Sequence, residues 1–349
     1  MDTAPFPLSP ADLMQVARNG LRLPGDADIR ITEVTRWTNL NHIFLIVAGD
    51  ESIYVKVVTA TPKLMKITLP RERIFFEAEA IGRFRALCGP TVVVPEVLFV
   101  DREAYALGMS DVGRERRVLI EVIDEQYALF VAQAVPLGTA LGNVHSASRG
   151  SAPFRPEQFE RMLQAVIVEK LLAPGARALF DDHWPGIAAQ MSAHRECLIH
   201  GDLWAKNVLV GEGVAPALVD FEGASIGDPA FDIATLLAVA AIPALEQPEL
   251  VESCVEFSEA LIRAYRDAVQ ERLRAQDSLW VSQVCARAYL YVGTFLAARG
   301  FGPFLYPMSE AARNRLARLA RSLSAAPVNY LREYSQRLVE HGLMAEPAV

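Results

Sequence analysis

An α+β fold in two lobes, a small β-rich amino-terminal lobe followed by a larger, mainly helical carboxy-terminal lobe, follows from three features of the sequence. Residues 31–37, 43–47 and 52–58 alternate as strands do, and Ala48-Gly49-Asp50-Glu51 is a turn between the last two. Beyond Val118, apolar residues recur at helical spacing through 127–145, 156–172, 229–239, 249–269, 279–299 and 309–322. The length, 349 residues with 52% hydrophobic, exceeds what one compact core usually supports, so two lobes around a cleft are expected.

In chain order, a helix over 11–19 precedes the β-meander. Lys56 stands in Ile53-Tyr54-Val55-Lys56-Val57-Val58, an apolar strand in which a lone ammonium is expensive to bury without a partner. A phosphate would be such a partner; a lysine snorkelling from a sheet face is the plainer reading. Residues 71–88 form an amphipathic helix. Glu77, within Phe75-Phe76-Glu77-Ala78-Glu79-Ala80-Ile81, is the best candidate on it to hold Lys56, with Glu79 and Glu72 as alternatives, although an acid on a helix is usually a solvated face. Strands at 97–100 and 104–108, around an Asp101-Arg102-Glu103 turn, close the smaller lobe.

The chemistry lies in residues 198–223, LIHGDLWAKNVLVGEGVAPALVDFEG. Asp202 is followed five positions later by Asn207, and then by Asp220-Phe221-Glu222-Gly223. The apolar runs Asn207-Val208-Leu209-Val210 and Ala217-Leu218-Val219-Asp220 flank Gly211-Glu212-Gly213, a hairpin signal that would bring Asn207 and Asp220 close together. Mg2+ takes hard oxygen ligands in octahedral geometry and reaches phosphates through one or two protein side chains, which Asn207 and Asp220 can supply. An acceptor hydroxyl, whose pKa is far above neutrality, needs a carboxylate within hydrogen-bonding range to orient it and take its proton as the bond to phosphorus forms. Asp202 fits that role. Either short motif alone reads equally as a tight turn or a strand end; the ordered combination carries the inference.

His200-Gly201-Asp202-Leu203-x-x-x-Asn207 resembles the H-R-D-L-x-x-x-N catalytic loop of protein kinases, and Asp220-Phe221-Glu222-Gly223 stands where they have D-F-G. Glycine replaces the arginine of the first motif, and a glutamate is inserted in the second. Together these residues resemble the aminoglycoside phosphotransferase and choline kinase superfamily, whose members carry HGD-x-x-x-x-N and then a D-x-x or D-x-E metal motif on a protein-kinase-like fold. Asp228-Pro229-Ala230-Phe231-Asp232-Ile233-Ala234 is similar to the D-P-x-x-D-[IL]-A that follows in that superfamily. The resemblance implies that Asp232 accepts backbone hydrogen bonds from the catalytic loop; the alternative is an exposed carboxylate in a helix first turn.

The amino-terminal half resembles the methylthioribose kinases, in Asn39-Leu40-Asn41-His42-Ile43-Phe44, in Leu69-Pro70-Arg71-Glu72-Arg73 and in Phe76-Glu77-Ala78-Glu79-Ala80. Val94-Pro95-Glu96-Val97, Met109-Ser110-Asp111-Val112 and Arg117-Val118-Leu119-Ile120 continue it in order. Three departures stand against this likeness. HGDLWAKN replaces the usual HGDLHTGS, Asp220-Phe221-Glu222 replaces D-P-E, and Leu296-Ala297-Ala298-Arg299-Gly300 keeps one arginine where those kinases pair two before a glycine. The substrate therefore does not follow from the likeness alone.

What the resemblance implies can be stated residue by residue. Residues 1–107 form a nucleotide-binding lobe, 108–117 a hinge, and 118–349 a catalytic and acceptor-binding lobe. The nucleotide is ATP, with Mg2+ as the metal. Lys56, held by Glu77, meets a phosphate. The segment 108–113, with Met109 and Asp111, offers backbone groups to adenine. Asp202 is the base, and Asn207, Asp220 and Glu222 face the metal. Trp204 and Arg299 are the candidates to line the pocket of a small hydroxylated acceptor, though an aromatic at Trp204 is as often plain packing. Thr35-Arg36-Trp37-Thr38-Asn39-Leu40-Asn41 occupies the place of a glycine-rich loop, and Asn39 and Asn41 read as Asx turns in preference to phosphate donors.

Composition removes other classes. The chain has no G-x-x-x-x-G-K-[ST] and no Gly-Lys pair, which argues against a Walker-type NTPase. A net charge of −8 with no basic stripe argues against nucleic acid. The longest apolar run, residues 233–245, contains Pro243 and is too short to span a bilayer, and no signal peptide is visible, so no membrane partner and a cytoplasmic location are expected. Cys88, Cys197, Cys254 and Cys285 are scattered and read as buried thiols. The sequence leaves a homodimer open. Residues 277–349 hold eight arginines, no lysine and five acids, a balance that disfavours a polycationic acceptor.

Overall fold

The amino-terminal alternation is realised as a five-stranded antiparallel sheet. In the computed structural model, which describes residues 10–21, 28–36, 41–59, 69–273, 278–326 and 328–343, the chain divides into two units. The first comprises Met1–Ala86, Val93–Glu115 and the four residues Val219–Glu222. It contains helix α1 (Pro10–Leu21), strands β1 (Ile29–Val34), β2 (His42–Ala48) and β3 (Glu51–Val57), helix α2 (Arg73–Leu87), and strands β4 (Val97–Asp101) and β5 (Ala106–Ser110).

The strand order is β1-β2-β3-β5-β4. Leu13, Val16 and Ala17 of α1 cover Phe44, Ile46, Ile53, Val55, Val57 and Ala106. Because side chains alternate along a strand, burying Val55 and Val57 on that face sends Lys56 to the other. There it lies in register between Ile43 and Leu107. Along α2 the buried positions are Arg73, Ile74, Glu77, Ala80, Ile81 and Phe84, a helical stripe that includes Glu77. Glu72 and Glu79 fall on the exposed side, where Glu79 pairs with Arg83 at 2.6 Å.

The second unit comprises Leu87–Val92, Arg116–Leu218 and Gly223–Val349. Its elements are β6 (Arg117–Val118), α3 (Tyr127–Val131), α4 (Ala134–Ala147), α5 (Glu157–Ala165), α6 (Ala173–Phe180), α7 (Trp184–Ala193), β7 (Cys197–Ile199), β8 (Val208–Gly211), β9 (Val214–Leu218), β10 (Ser225–Gly227), α8 (Ala230–Glu246), α9 (Val251–Arg272), α10 (Ser278–Phe301), α11 (Glu310–Ala325) and α12 (Leu331–Leu343). Strands β6, β8 and β9 form one small sheet, and β7 pairs with β10 in another.

Two helices differ from the pattern. The expected helix over 127–145 is broken between α3 and α4, because Pro136 has no N–H to continue the ladder but is accepted in the first turn of a new helix. The expected helix over 156–172 passes from α5 into a π-helix, Val166–Leu172, since apolar spacing does not separate the two hydrogen-bond patterns.

Among the described residues one stretch, Tyr127–Ala147, is long and apolar enough by length and composition to cross a membrane. Its α4 portion instead packs backbone to backbone on α9. A Cβ on Gly138 would stand 2.4 Å from the Leu261 carbonyl oxygen, and one on Gly142 would stand 2.7 Å from that of Tyr265.

Candidate functional site

In the amino-terminal unit, Lys56 is 2% exposed and its ammonium is enclosed by acids. Nζ lies 2.8 Å from both carboxylate oxygens of Glu77, 2.7 Å from Asp220 Oδ1 and 3.5 Å from Glu222 Oε2. Burial alone would lower the lysine's pKa; Asp220, Glu77 and Glu222 outweigh it and raise it above the ordinary value. Burial pushes the Glu77 carboxyl up to about 7, with Lys56 opposing and the other two acids adding to the rise.

The turn that delivers two of these acids is anchored between them. Phe221 is fully buried, its ring centroid 5.1 Å from that of Phe84 on α2, so Asp220 and Glu222 flank a fixed aromatic. Asp220 has φ 64, the left-handed region, which short polar side chains tolerate better than most. Glu77, Asp220 and Glu222 each present an oxygen within 4.8 Å of the others. Such a set of hard oxygen donors suits a divalent cation such as Mg2+.

Asn41 departs from its expected reading. Its side chain is not spent on a local turn: Nδ2 donates to Glu222 Oε2 at 2.7 Å, and Oδ1 accepts from Arg73 Nη2 at 2.9 Å. Asn39 lies outside the described residues. Met109 sits within β5 and Asp111 just beyond it, where Asp111 accepts from Ser52 Oγ at 2.6 Å and from the Gly113 N–H at 2.8 Å.

In the carboxy-terminal unit, the loop from His200 to Asn207 is held from beneath. Asp232, fully buried at the start of α8, accepts the His200 N–H at 2.8 Å and the Gly201 N–H at 2.9 Å. His145 Nε2 lies 3.3 Å from the same carboxylate. These are the backbone bonds that the resemblance implied for Asp232, and an exposed first-turn acid is excluded. Gly201 has φ 76, and a Cβ there would meet the Gly223 carbonyl oxygen at 2.4 Å. That contact gives a physical reason for glycine where protein kinases carry arginine.

Asp202, beyond this anchor, has a side chain 36% exposed. Asn207 Nδ2 donates to its Oδ2 and to its backbone carbonyl, both at 2.7 Å, and Lys206 Nζ lies 3.2 Å from Oδ2. The following hairpin forms as expected, β8 pairing with β9 and Val208 facing Leu218. Trp204 is buried, and the Arg299 guanidinium carbon stands 4.0 Å over its ring centroid, a cation–π stack. Burial lowers the Arg299 pKa to about 10, with Asp202 opposing. Arg299 and Gly300 lie within α10, which runs on to Phe301 and ends before Gly302 and Pro303.

The structure thus gathers Lys56, Glu77, Asp220 and Glu222 in one unit, and Asp202, Asn207, Trp204 and Arg299 in the other. Sequence reasoning missed Lys206 and Arg73, and it took Asn41 for a local turn. It also missed Arg287, which makes a bidentate pair with Asp228 (2.8 and 2.9 Å) and reaches Glu196 at 2.8 Å. Only Lys206 had a local signal, its position four residues after an acid. A cavity of about 60 Å3 beside Gly201 and Gly223, lined by Glu160, Arg195, Ile226 and Phe231 among others, includes neither Trp204 nor Arg299.

Residues 45–276 match the phosphotransferase enzyme family, APH. Methylthioribose kinase 2 of Oryza sativa subsp. japonica is 22% identical over 247 residues, 62% of this chain and 57% of that protein, so the match spans less than two thirds of this relative. An amicoumacin kinase solved with AMP-PNP, Ca2+ and Ami is similar with a TM-score of 0.50 at 12% identity, over 91% of this chain and 94% of that one. A choline/ethanolamine kinase family protein from Mesorhizobium loti gives a TM-score of 0.49 at 18% identity, over 94% and 99% of the two chains. At 12% identity the likeness to the amicoumacin kinase is one of fold, and the fold is the two-lobed, kinase-like α+β arrangement.

Proposed function

The chain belongs to the phosphotransferase enzyme family, and from that premise we propose that it is a small-molecule phosphotransferase that moves the γ-phosphoryl group of ATP onto a hydroxyl of a small metabolite, a methylthioribose-like sugar in the first place. The observation that carries this reading is the pairing of motifs with distinct surroundings: a buried ammonium ringed by Glu77, Asp220 and Glu222, and an accessible Asp202 on a loop fastened by Asp232.

In this reading residues 1–107 bind the nucleotide, 108–117 are the hinge and 118–349 carry the base and the acceptor. Lys56 donates to phosphate oxygens, and Glu77 keeps its ammonium in place from the α2 side. Asp220, Glu222 and Asn207 would hold Mg2+, which when bound neutralises phosphate charge. Backbone groups around Met109 and Asp111 receive adenine.

Asp202 orients the acceptor hydroxyl and takes its proton. Asn207 and Lys206 both engage Oδ2, which turns Oδ1 to that task. Arg299, flattened on Trp204, offers guanidinium donors to the acceptor. The local positive balance of residues 277–349 supports a neutral or anionic acceptor over a polycationic one. Aminoglycoside, choline or homoserine kinases of the same superfamily are the competing assignments, and a binding module without catalysis is the reading from another class.

A coupled ADP-release assay with methylthioribose, other pentoses, choline, homoserine and an aminoglycoside, each offered separately, tests the proposal. Turnover with methylthioribose or a related pentose is expected. Turnover only with the aminoglycoside overturns the sugar-kinase reading, and no ADP release with any acceptor favours the binding module.

A further inference from the structure

Glu222 is the residue by which this turn departs from Asp-Phe-Gly, and its carboxylate is positioned by side chains far away in sequence. Asn41 Nδ2 donates to Glu222 Oε2 at 2.7 Å, and Arg73 Nη2 donates to Asn41 Oδ1 at 2.9 Å. Asn41 and Arg73 are each 4% exposed. Arg73 is itself fixed, since Nη1 donates to the Leu69 and Pro70 carbonyls (3.3 and 3.0 Å) and Nη2 also to that of Thr59 (3.0 Å).

An asparagine amide has an accepting end and a donating end of almost the same shape, and nothing intrinsic decides which way it points. A guanidinium carries donors only, so Arg73 can bond only Oδ1. The NH2 end must then face Glu222. With the carboxylate bonded from that side, Glu222 is held in one place by Asn41 and, through it, by Arg73.

We propose that Asn41, oriented by Arg73, is a positioning residue that holds the Glu222 carboxylate ready for a divalent cation. This rests on the reading of Glu222 as a ligand of the catalytic metal. Partners that orient a ligand from outside the metal's own coordination commonly change affinity by 10- to 100-fold when removed, which sets the size of the expected effect at roughly tenfold. The same pair also helps to satisfy buried polar groups, a purely structural service that would alter stability without altering cation affinity.

The test is a double-mutant cycle read by Mn2+ binding, followed by electron paramagnetic resonance with ADP present, on full-length protein checked for folding by circular dichroism. Asn41→Ala and Glu222→Ala should each weaken Mn2+ binding, Asn41→Ala by about tenfold. The double variant should bind no more weakly than Glu222→Ala alone, because Asn41 acts only through Glu222. Should Asn41→Ala fail to fold, Asn41→Ser keeps an O–H donor and replaces it in the cycle, with a smaller expected loss. Additive losses, or an unchanged affinity in the Asn41 variant beside a weakened Glu222 variant, would overturn the positioning role and leave the metal reading standing. Unchanged affinity in Glu222→Ala would remove both.

Discussion

Asp202 and Asp220 lie in one short stretch of chain, yet their surroundings are opposite. Around Asp220 three carboxylates converge on the ammonium of Lys56, so acids outnumber that one partner in a largely buried setting, with the Arg73 guanidinium acting on Glu77 and Glu222 as well. Around Asp202 one carboxylate receives both Asn207 and Lys206, so donors are in surplus and much of the side chain meets solvent. The difference teaches that identical side chains acquire different capacities from the ratio of charges supplied around them. The first arrangement invites a further cation. The second holds one carboxylate oxygen between an amide and an ammonium.

Replacing Asp220 breaks this contrast most severely. Asp220→Ala should abolish Mg2+-dependent ATP binding together with turnover, because it removes one of the hard oxygen donors and a direct partner of Lys56. Isothermal titration with Mg-ATP reads the first loss; unaltered affinity would show that the surplus of acids serves some other purpose. Asp202→Asn should act on the other half alone, lowering kcat by about 10²-fold or more while nucleotide affinity stays near the original. Near-full turnover in that variant would exclude Asp202 as the base.

The smallest effect concerns protons. The Glu77 carboxyl, pushed up to about 7, stands well above an ordinary glutamate at roughly 4.3, so between those values the folded chain holds a proton that the unfolded chain has released. That contribution to stability is complete below the unfolded pKa and is lost as pH rises through about 7. Tm measured without divalent cations should therefore fall from pH 5 to pH 7.5 more steeply in the unaltered protein than in Glu77→Gln. Parallel curves would show that the surplus charge is relieved elsewhere.

Much of this was legible in the sequence because some residues are out of place locally. A lysine inside an apolar strand, and acids and an amide at fixed intervals around a hairpin, advertise themselves whatever the rest of the chain does. Glu77 was harder, since Glu72, Glu77 and Glu79 all fall in the stretch 71–88 expected as one helix, and only the buried stripe through Ile74, Ala80, Ile81 and Phe84 selects among them. The bonds from Asn41 to Glu222, from Arg73 to Asn41, from His145 to Asp232 and from Arg287 to Asp228 were not legible. Each joins residues far apart in sequence, and an isolated asparagine or arginine carries no mark of its partner. The strand alternation and apolar periodicities likewise gave most elements but not the break at Pro136 or the π-helix, where backbone hydrogen bonding changes and side-chain spacing does not.

The membership of Val219–Glu222 in the amino-terminal unit has a consequence for how the chain is made. A ribosome delivers β1 to β5 and α2 first, but the two acids that complete the surroundings of Lys56 arrive only after residues 116–218 have been synthesised. At ordinary elongation rates that interval is on the order of 5–20 s. Until then a buried ammonium has Glu77 as its acidic neighbour, without Asp220 and Glu222. The amino-terminal unit is consequently a body that cannot mature vectorially, and a nascent chain arrested at residue 200 should resist proteases less in β3 and α2 than one arrested beyond residue 260.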